Sequence, residues 1–294
     1  MAFRPSSTAI ALPLLAFAAS VTAGQGAASP DLAEVLRRVG ERVEQYFTRA
    51  QSIVCLEIVG LMPVETGGAR GRTVESELRL SWEPSEENPA PIEARTLRQV
   101  LKVNGHAPRK NDQDNCTAPE QNTSEVQPLS LLLPQQRDEY TFKLAGPGRI
   151  DDRAAILIDF RMVDQASVKV ELVNGNENCV SFALDGGMRG RIWIDAETFD
   201  VLRMDQGLTG LVDVPLPRKI ANRDRWSSWT MERWDTSIRF KPVTFQDPQE
   251  TLVLPASATS YRITRGSGSP QLRSSTRYSS YRRFITGGRI IPPQ

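Results

Sequence analysis

The clearest pattern in the chain is a helical stripe close to its start. Leu32, Val35, Leu36, Val39, Val43, Tyr46 and Phe47 recur at three- and four-residue spacing, which predicts one amphipathic helix ending near Arg49. Ser29 is placed to cap it, Pro30 suits its first turn, and Asp31 favours the positive end of its dipole. Arg37, Arg38, Glu41, Arg42 and Glu44 fill the opposite side, so the helix is expected to lie on something.

Beyond that helix the period changes from 3.6 to 2. Val74, Leu78, Leu80 and Trp82 alternate with charged and hydroxyl residues. Tyr140, Phe142 and Leu144 share a face, as do Ala154, Ile156, Ile158, Phe160 and Met162, and Trp234, Thr236, Ile238 and Phe240. Such alternation belongs to antiparallel sheet with one wet face. Turn signals separate the runs at Asn104-Gly105, Gly146-Pro147-Gly148, Asn174-Gly175 and Asp185-Gly186-Gly187. Pro128–Pro134 reads as a short helix or buried crossover. Residues 111–127 and 215–228 read as loops. The fold class predicted is α+β: a strongly curved antiparallel sheet, an incomplete β-barrel, with the N-terminal helix packed on its concave face.

The first 23 residues have a different character. Arg4 precedes an apolar run, Ala9–Val21, and Val21-Thr22-Ala23 places small residues before Gly24. This is the pattern of a cleavable secretory signal, and its core is too short for a stable membrane anchor. The mature chain is expected to be one domain, 24–294, without a transmembrane segment, in the periplasm or secreted.

Export changes the reading of Cys55, Cys116 and Cys179, because a disulfide is at home outside the cytoplasm. Any two of the three could pair. Cys55 lies in an apolar strand run, while Cys116 and Cys179 have polar, Asn-rich flanks, so a Cys116–Cys179 bridge is favoured. No Cys-x-x-Cys or Cys/His cluster suggests zinc, and no metal or cofactor is expected. The 36 basic and 35 acidic residues nearly cancel, which argues against a nucleic-acid partner.

Candidate chemistry is sparse. His106, the single histidine, follows a turn and reads as an exposed loop residue. It has no Gly-x-Ser-x-Gly companion for a triad. Asp195, Glu197 and Asp200 lack the spacing of a calcium loop, and Asp195 reads as a turn former. Glu75 and Glu77 lie on one wet strand face, where a glycosidase pair does not sit. Ser260–Gln294 holds Arg262, Arg265, Arg273, Arg277, Arg282, Arg283 and Arg289 and no acid. This Arg-rich C-terminal region either meets an anionic surface or is the outer face of terminal strands, balanced by acids elsewhere.

Gly190–Asp205, GRIWIDAETFDVLRMD, predicts a hairpin. Ile192 and Ile194 would share a buried face with Leu202 and Met204. In that register Ile194 opposes Leu202, Trp193 stacks on Arg203, and Arg191 pairs with Asp205. The motif R-[IL]-W-[IV]-D-x-x-T-x-x-[VI]-x-R resembles a hairpin of the outer-membrane lipoprotein carrier (LolA/LppX-like) superfamily. It is also similar to a group of exported bacterial proteins of unknown function, and that similarity runs on through Ser237–Phe240 and Phe245–Pro248 to Tyr281–Phe284. The resemblance implies an incomplete barrel around an apolar groove, with helices as a lid and acyl chains or a lipoprotein as ligand. No ligand-binding residue transfers by position. The expected function is non-enzymatic binding of an apolar or amphiphilic ligand, lined by Ile192, Ile194, Leu202, Met204, Ile156 and Ile158. Its rivals are a cell-envelope adaptor with a filled core and a hydrolase with an unrecognised site.

Overall fold

A computed structural model describes residues 30–49, 53–64, 71–82, 94–109, 112, 127–172, 180–225, 227–246, 249–266 and 271–283. The signal sequence, Cys116, Cys179 and Arg289 lie outside the described residues.

Helix α1 covers Leu32–Arg49 and buries Val35, Val39, Val43, Tyr46 and Phe47, as the stripe requires. Its cap differs from expectation. Asp31, not Ser29, stands before the first turn, with its carboxylate accepting from the Glu34 N–H at 3.4 Å. The helix begins at Leu32, after both Pro30 and Asp31, so the expected cap lies too far upstream.

Thirteen strands follow: β1 Ile53–Pro63, β2 Arg72–Trp82, β3 Ala94–Val103, β4 Tyr140–Ile150, β5 Arg153–Met162, β6 Ser167–Leu172, β7 Val180–Asp185, β8 Met188–Asp195, β9 Val201–Leu208, β10 Val212–Pro215, β11 Ser228–Gln246, β12 Gln249–Arg265 and β13 Leu272–Arg283. The main sheet runs β3-β2-β1-β13-β12-β11-β9-β8-β5-β4, with β10 beside β11, and every pairing is antiparallel. Its end strands β3 and β4 do not meet, so the barrel stays open. β6 and β7 form a separate hairpin.

Curvature follows from what shares the core. Val35, Val39, Val43 and Phe47 of α1 belong to one buried cluster with Ile158, Ile192, Met204, Ile238, Leu254 and Ile53, which come from strands β5 round to β1. Laid flat, that span of sheet would be roughly 29 Å wide at ~4.8 Å per strand. A helix is about 10 Å across, so the sheet wraps it, and α1 occupies the concave face.

The Pro-bounded segment forms two 3-10 turns, Gln127–Leu132 and Pro134–Glu139. Leu129, Leu131, Leu132 and Leu133 close the same core. The segment expected to be loop at 215–228 instead holds a short helix, α2 Arg218–Asp224. Ile220 anchors it in a second cluster with Val214, Trp229, Met231 and Val168.

The Gly190–Asp205 hairpin forms with Trp193 opposite Arg203 and Arg191 opposite Asp205. Two details differ. The register slips between Trp193 and Ile194, and Val201, not Leu202, stands opposite Ile194. Leu202 is the extra residue of this bulge, and the loop before it holds Phe199 at a left-handed φ of 62°. Arg191 bonds Asp159 of β5, at 2.5 and 2.9 Å, while Asp205 is taken by Arg203 and Ser237.

Candidate ligand-binding site

The concave face is filled rather than open over most of its area. Val39, Ile158, Ile192, Ile194 and Met204 are each completely buried. Of the lining expected from the sequence, Ile192, Ile194, Met204 and Ile158 are thus core against α1 and the 3-10 turns, and Ile156 packs at their margin. The physical reason is the helix itself. Its buried stripe and the leucines of the 3-10 turns share one cluster with the strands, so they fill the concavity instead of roofing it.

A space lies at the C-terminal half of α1. Its volume is about 370 Å³, within the 300–1,000 Å³ of ordinary ligand sites. Val43, Tyr46 and Leu129 line one side, and Val201, Phe240, Leu252 and Val253 the other. Arg42, Arg49, Arg153, Thr198, Asp200 and Thr251 stand at its polar margin. The space therefore has an apolar floor and a rim of ion-paired arginines.

The rim is built by the Ala196–Asp200 loop. Asp195 is 3% exposed and ties the loop from within. Its Oδ1 accepts from the N–H of Thr198 at 2.8 Å and of Glu197 at 3.0 Å, and from the Thr198 hydroxyl at 3.2 Å. Its Oδ2 meets Arg153 at 2.7 Å. Burial works to raise this carboxyl, but the hydrogen bonds and Arg153 outweigh it and hold the pKa below the ordinary aspartate value. The role read from sequence, a turn former, is the role observed. The loop then grips the helix: Arg42 Nε donates to the Thr198 carbonyl at 2.9 Å and lies 3.4 Å from Asp200, and Arg38 stacks over Phe199 at 4.0 Å. At the far side Arg49 reaches Glu250 at 3.4 Å. Arg38 and Arg42 were legible only as a polar helix face; their partner loop is some 160 residues away in sequence.

The remaining candidates do not join this site. His106 closes the Asn104-Gly105 turn, pairing its backbone with Val103 in both directions. Glu75 and Glu77 bond basic neighbours, Lys102 and Arg79. Among the described residues no group of three acidic, His or Cys side chains could hold a metal ion, and no helix is long and apolar enough to cross a membrane. Cys55 is a buried free thiol. The C-terminal arginines divide. Arg265, Arg282 and Arg283 pair with Glu232, Glu77 and Glu250, as the balanced reading expected, whereas Arg273 and Arg277 have no such partner among the described residues.

A feature invisible from the sequence is the ion pair of Glu57 and Arg98, whose side chains are 1% and 6% exposed and lie 2.7 Å apart. Nothing in local patterning marks Glu57, because its partner sits two strands away.

No protein-family model matches the chain, and no curated protein matches it. Solved structures do resemble it. A DUF1329 family protein from Desulfovibrio piger is 9% identical over 87% of this chain and 95% of that one, with a TM-score of 0.43. A LolA superfamily protein from Nitrosomonas europaea is 9% identical over 85% and 94%, with a TM-score of 0.36. The lipoprotein LppX of Mycobacterium tuberculosis is 10% identical over 60% and 90%, with a TM-score of 0.25.

Proposed function

We propose that this is an exported, non-enzymatic protein, mature from about Gly24, that holds an amphiphile in the space beneath the C-terminal half of α1. The observation that carries the reading is the pairing of an apolar floor, Val43, Leu129, Phe240 and Leu252, with a rim of Arg42, Arg49 and Arg153. An acyl chain would gain about 25 cal/mol per Å² of apolar surface withdrawn from water. Its polar head would stay at the rim, where Arg42, Arg49 and Arg153 already have acidic partners and offer their remaining N–H donors. The carrier-like resemblance of the hairpin implies the same ligand class. The space is small, so the ligand is one chain and not the bulk of a lipoprotein anchor.

Titration of a fluorescent fatty acid tests this. The wild-type chain should bind it with saturation, and Thr251→Trp, which blocks the mouth from an exposed position, should weaken binding with melting unchanged. A wild-type protein that binds no apolar probe would sink the proposal. The filled concavity would then leave the adaptor reading, which the complete burial of Val39, Ile192, Ile194 and Met204 already favours over an open carrier groove.

A further inference from the structure

A depression of about 930 Å³ lies on the sheet face opposite α1, and the strand registers show which residues surround it. Ile158, Ile192, Met204 and Ile238 point at the helix, so their neighbours point away from it. Three parallel rows of those neighbours cross the strands. The middle row runs Asp159, Arg191, Asp205, Ser237, Thr259, Ser275 and ends at Gly60. From β11 onward it is made of the smallest side chains. The row on one side contains Arg161, Arg189, Asp235, Tyr261 and Arg273. The row on the other contains Trp193, which lines the depression, and beyond its edge Arg203, Arg239 and Arg277. Tall walls over a low floor make a trough. Its walls stand about 13 Å apart, four residues along each strand, and it runs roughly 24 Å across the strands from β5 to β13.

The charges along the trough are not balanced. Asp159 is engaged by Arg191 and Asp205 by Arg203, and Asp235 bonds Arg233. Arg161, Arg189, Arg273 and Arg277 have no acid within ion-pair distance among the described residues. Arg161 stands directly opposite Arg189, an arrangement that costs stability, and both are exposed. Arg203 faces Arg239, but each has an acid of its own, Asp205 and Asp151. The aromatic rings of the walls are held by cation–π stacks, Arg203 on Trp193 at 4.8 Å and Arg233 on Tyr261 at 4.7 Å.

We infer that this trough is a second binding surface, for a linear acidic polysaccharide. Uncompensated arginines near both ends complement anionic groups spaced along a polymer. The hydroxyls of Thr259 and Ser275 suit a partner rich in hydroxyls, and the rings of Trp193 and Tyr261, each stacked on one side by an arginine, stand beside them. A flat bilayer surface does not reach a recessed floor. The surface lies across the sheet from the amphiphile site and stands independently of it.

Titration of the full mature chain with oligogalacturonate, followed by tryptophan fluorescence and calorimetry, tests the inference. Binding is expected at low ionic strength and should weaken as salt rises, and the neutral methyl ester of the same oligomer should not bind. The double variant Arg161→Gln/Arg189→Gln should lose about tenfold or more of the affinity, as should Arg273→Gln, while Arg265→Gln, paired to Glu232, should lose none. The Arg161→Gln/Arg189→Gln variant should melt at or above the wild-type temperature, and all variants should bind the fatty-acid probe unchanged, which separates this surface from the pocket. The inference is overturned by an acidic oligomer that does not bind, by an ester that binds equally well, or by arginine variants without effect. Binding of phosphatidylglycerol vesicles that depends on the same arginines, in place of the oligomer, would equally overturn it in favour of a membrane surface.

Discussion

Asp195 shows how much one side chain decides. It satisfies two backbone donors and a hydroxyl of the Ala196–Asp200 loop and also receives Arg153. Removing a buried acceptor leaves those donors unpaired, so Asp195→Ala should cost about 1–3 kcal/mol in urea unfolding at pH 7. Because folding lowers its pKa, its contribution is present above the ordinary aspartate range, near 3.8, and is lost as pH falls through and below it. Asp195→Asn should therefore lose less stability than wild type between pH 5 and about pH 3; parallel acid limbs would contradict this. Cys55 makes a complementary case. Burial, then the Glu57 charge, pushes its thiol up to about 12, against the opposing effects of Tyr281 and Arg98. In the folded protein at pH 8 it should resist a thiol reagent for as long as the fold persists, and react once urea opens it. Rapid labelling of native protein at Cys55 would show that the strand is open. The Cys116–Cys179 bridge remains a proposal. Peptide mapping without reduction should find it, and a loop of roughly 60 residues would stabilise the fold by about 4 kcal/mol in the chain-entropy model.

At the scale of elements, α1 and the 3-10 turns meet through Gly40. A methyl group there would lie 2.9 Å from the Leu132 carbonyl and against the Arg137 guanidinium, which donates to the carbonyls of both Leu36 and Leu132. The gap exists because position 40 has no side chain. Gly40→Ala would normally favour a helix by up to about 1 kcal/mol; here the clash should reverse the sign and lower stability by about 1–3 kcal/mol. An unchanged or raised melting temperature would show that the turns are not seated on the helix. This contact also marks where the sequence stops being informative. The α1 stripe, the alternation of β2, β5 and β11, and the Trp193–Arg203 pairing were legible because they depend on neighbours a few residues away. The bond of Arg137 to Leu36, the grip of Arg42 on Thr198 and the Glu57–Arg98 pair join residues 41 to 156 positions apart, and no local period encodes them. The slip at Ile194 was missed for a similar reason. Residue types announce neither the bulge at Leu202 nor the left-handed Phe199 of the adjoining loop.

For the whole molecule, the question is whether the helix is a lid or a plug, and the two ends of its stripe answer differently. Val39 is fully buried in the filled half of the core, and Val43, nearly as buried, borders the remaining space. A carboxylate at position 39 would be set among Ile, Leu and Met side chains without a partner, a cost of several kcal/mol that a domain of ordinary stability cannot absorb. The same carboxylate at position 43 opens onto a volume wide enough for water, near Arg42 and Arg153. Val39→Asp should therefore fail to fold, as read by far-UV circular dichroism and chromatography. Val43→Asp should fold with lowered stability and bind less of the fatty-acid probe. If both variants unfold alike, the space beneath α1 is too closed to hydrate a charge, and the molecule is a plugged barrel whose working surfaces lie outside it. If Val43→Asp folds and still binds the probe like wild type, the ligand sits elsewhere, and the apolar floor is core with an imperfect fit. Only a folded Val43→Asp with impaired binding is consistent with a helix that plugs most of the sheet and leaves its last two turns to a ligand.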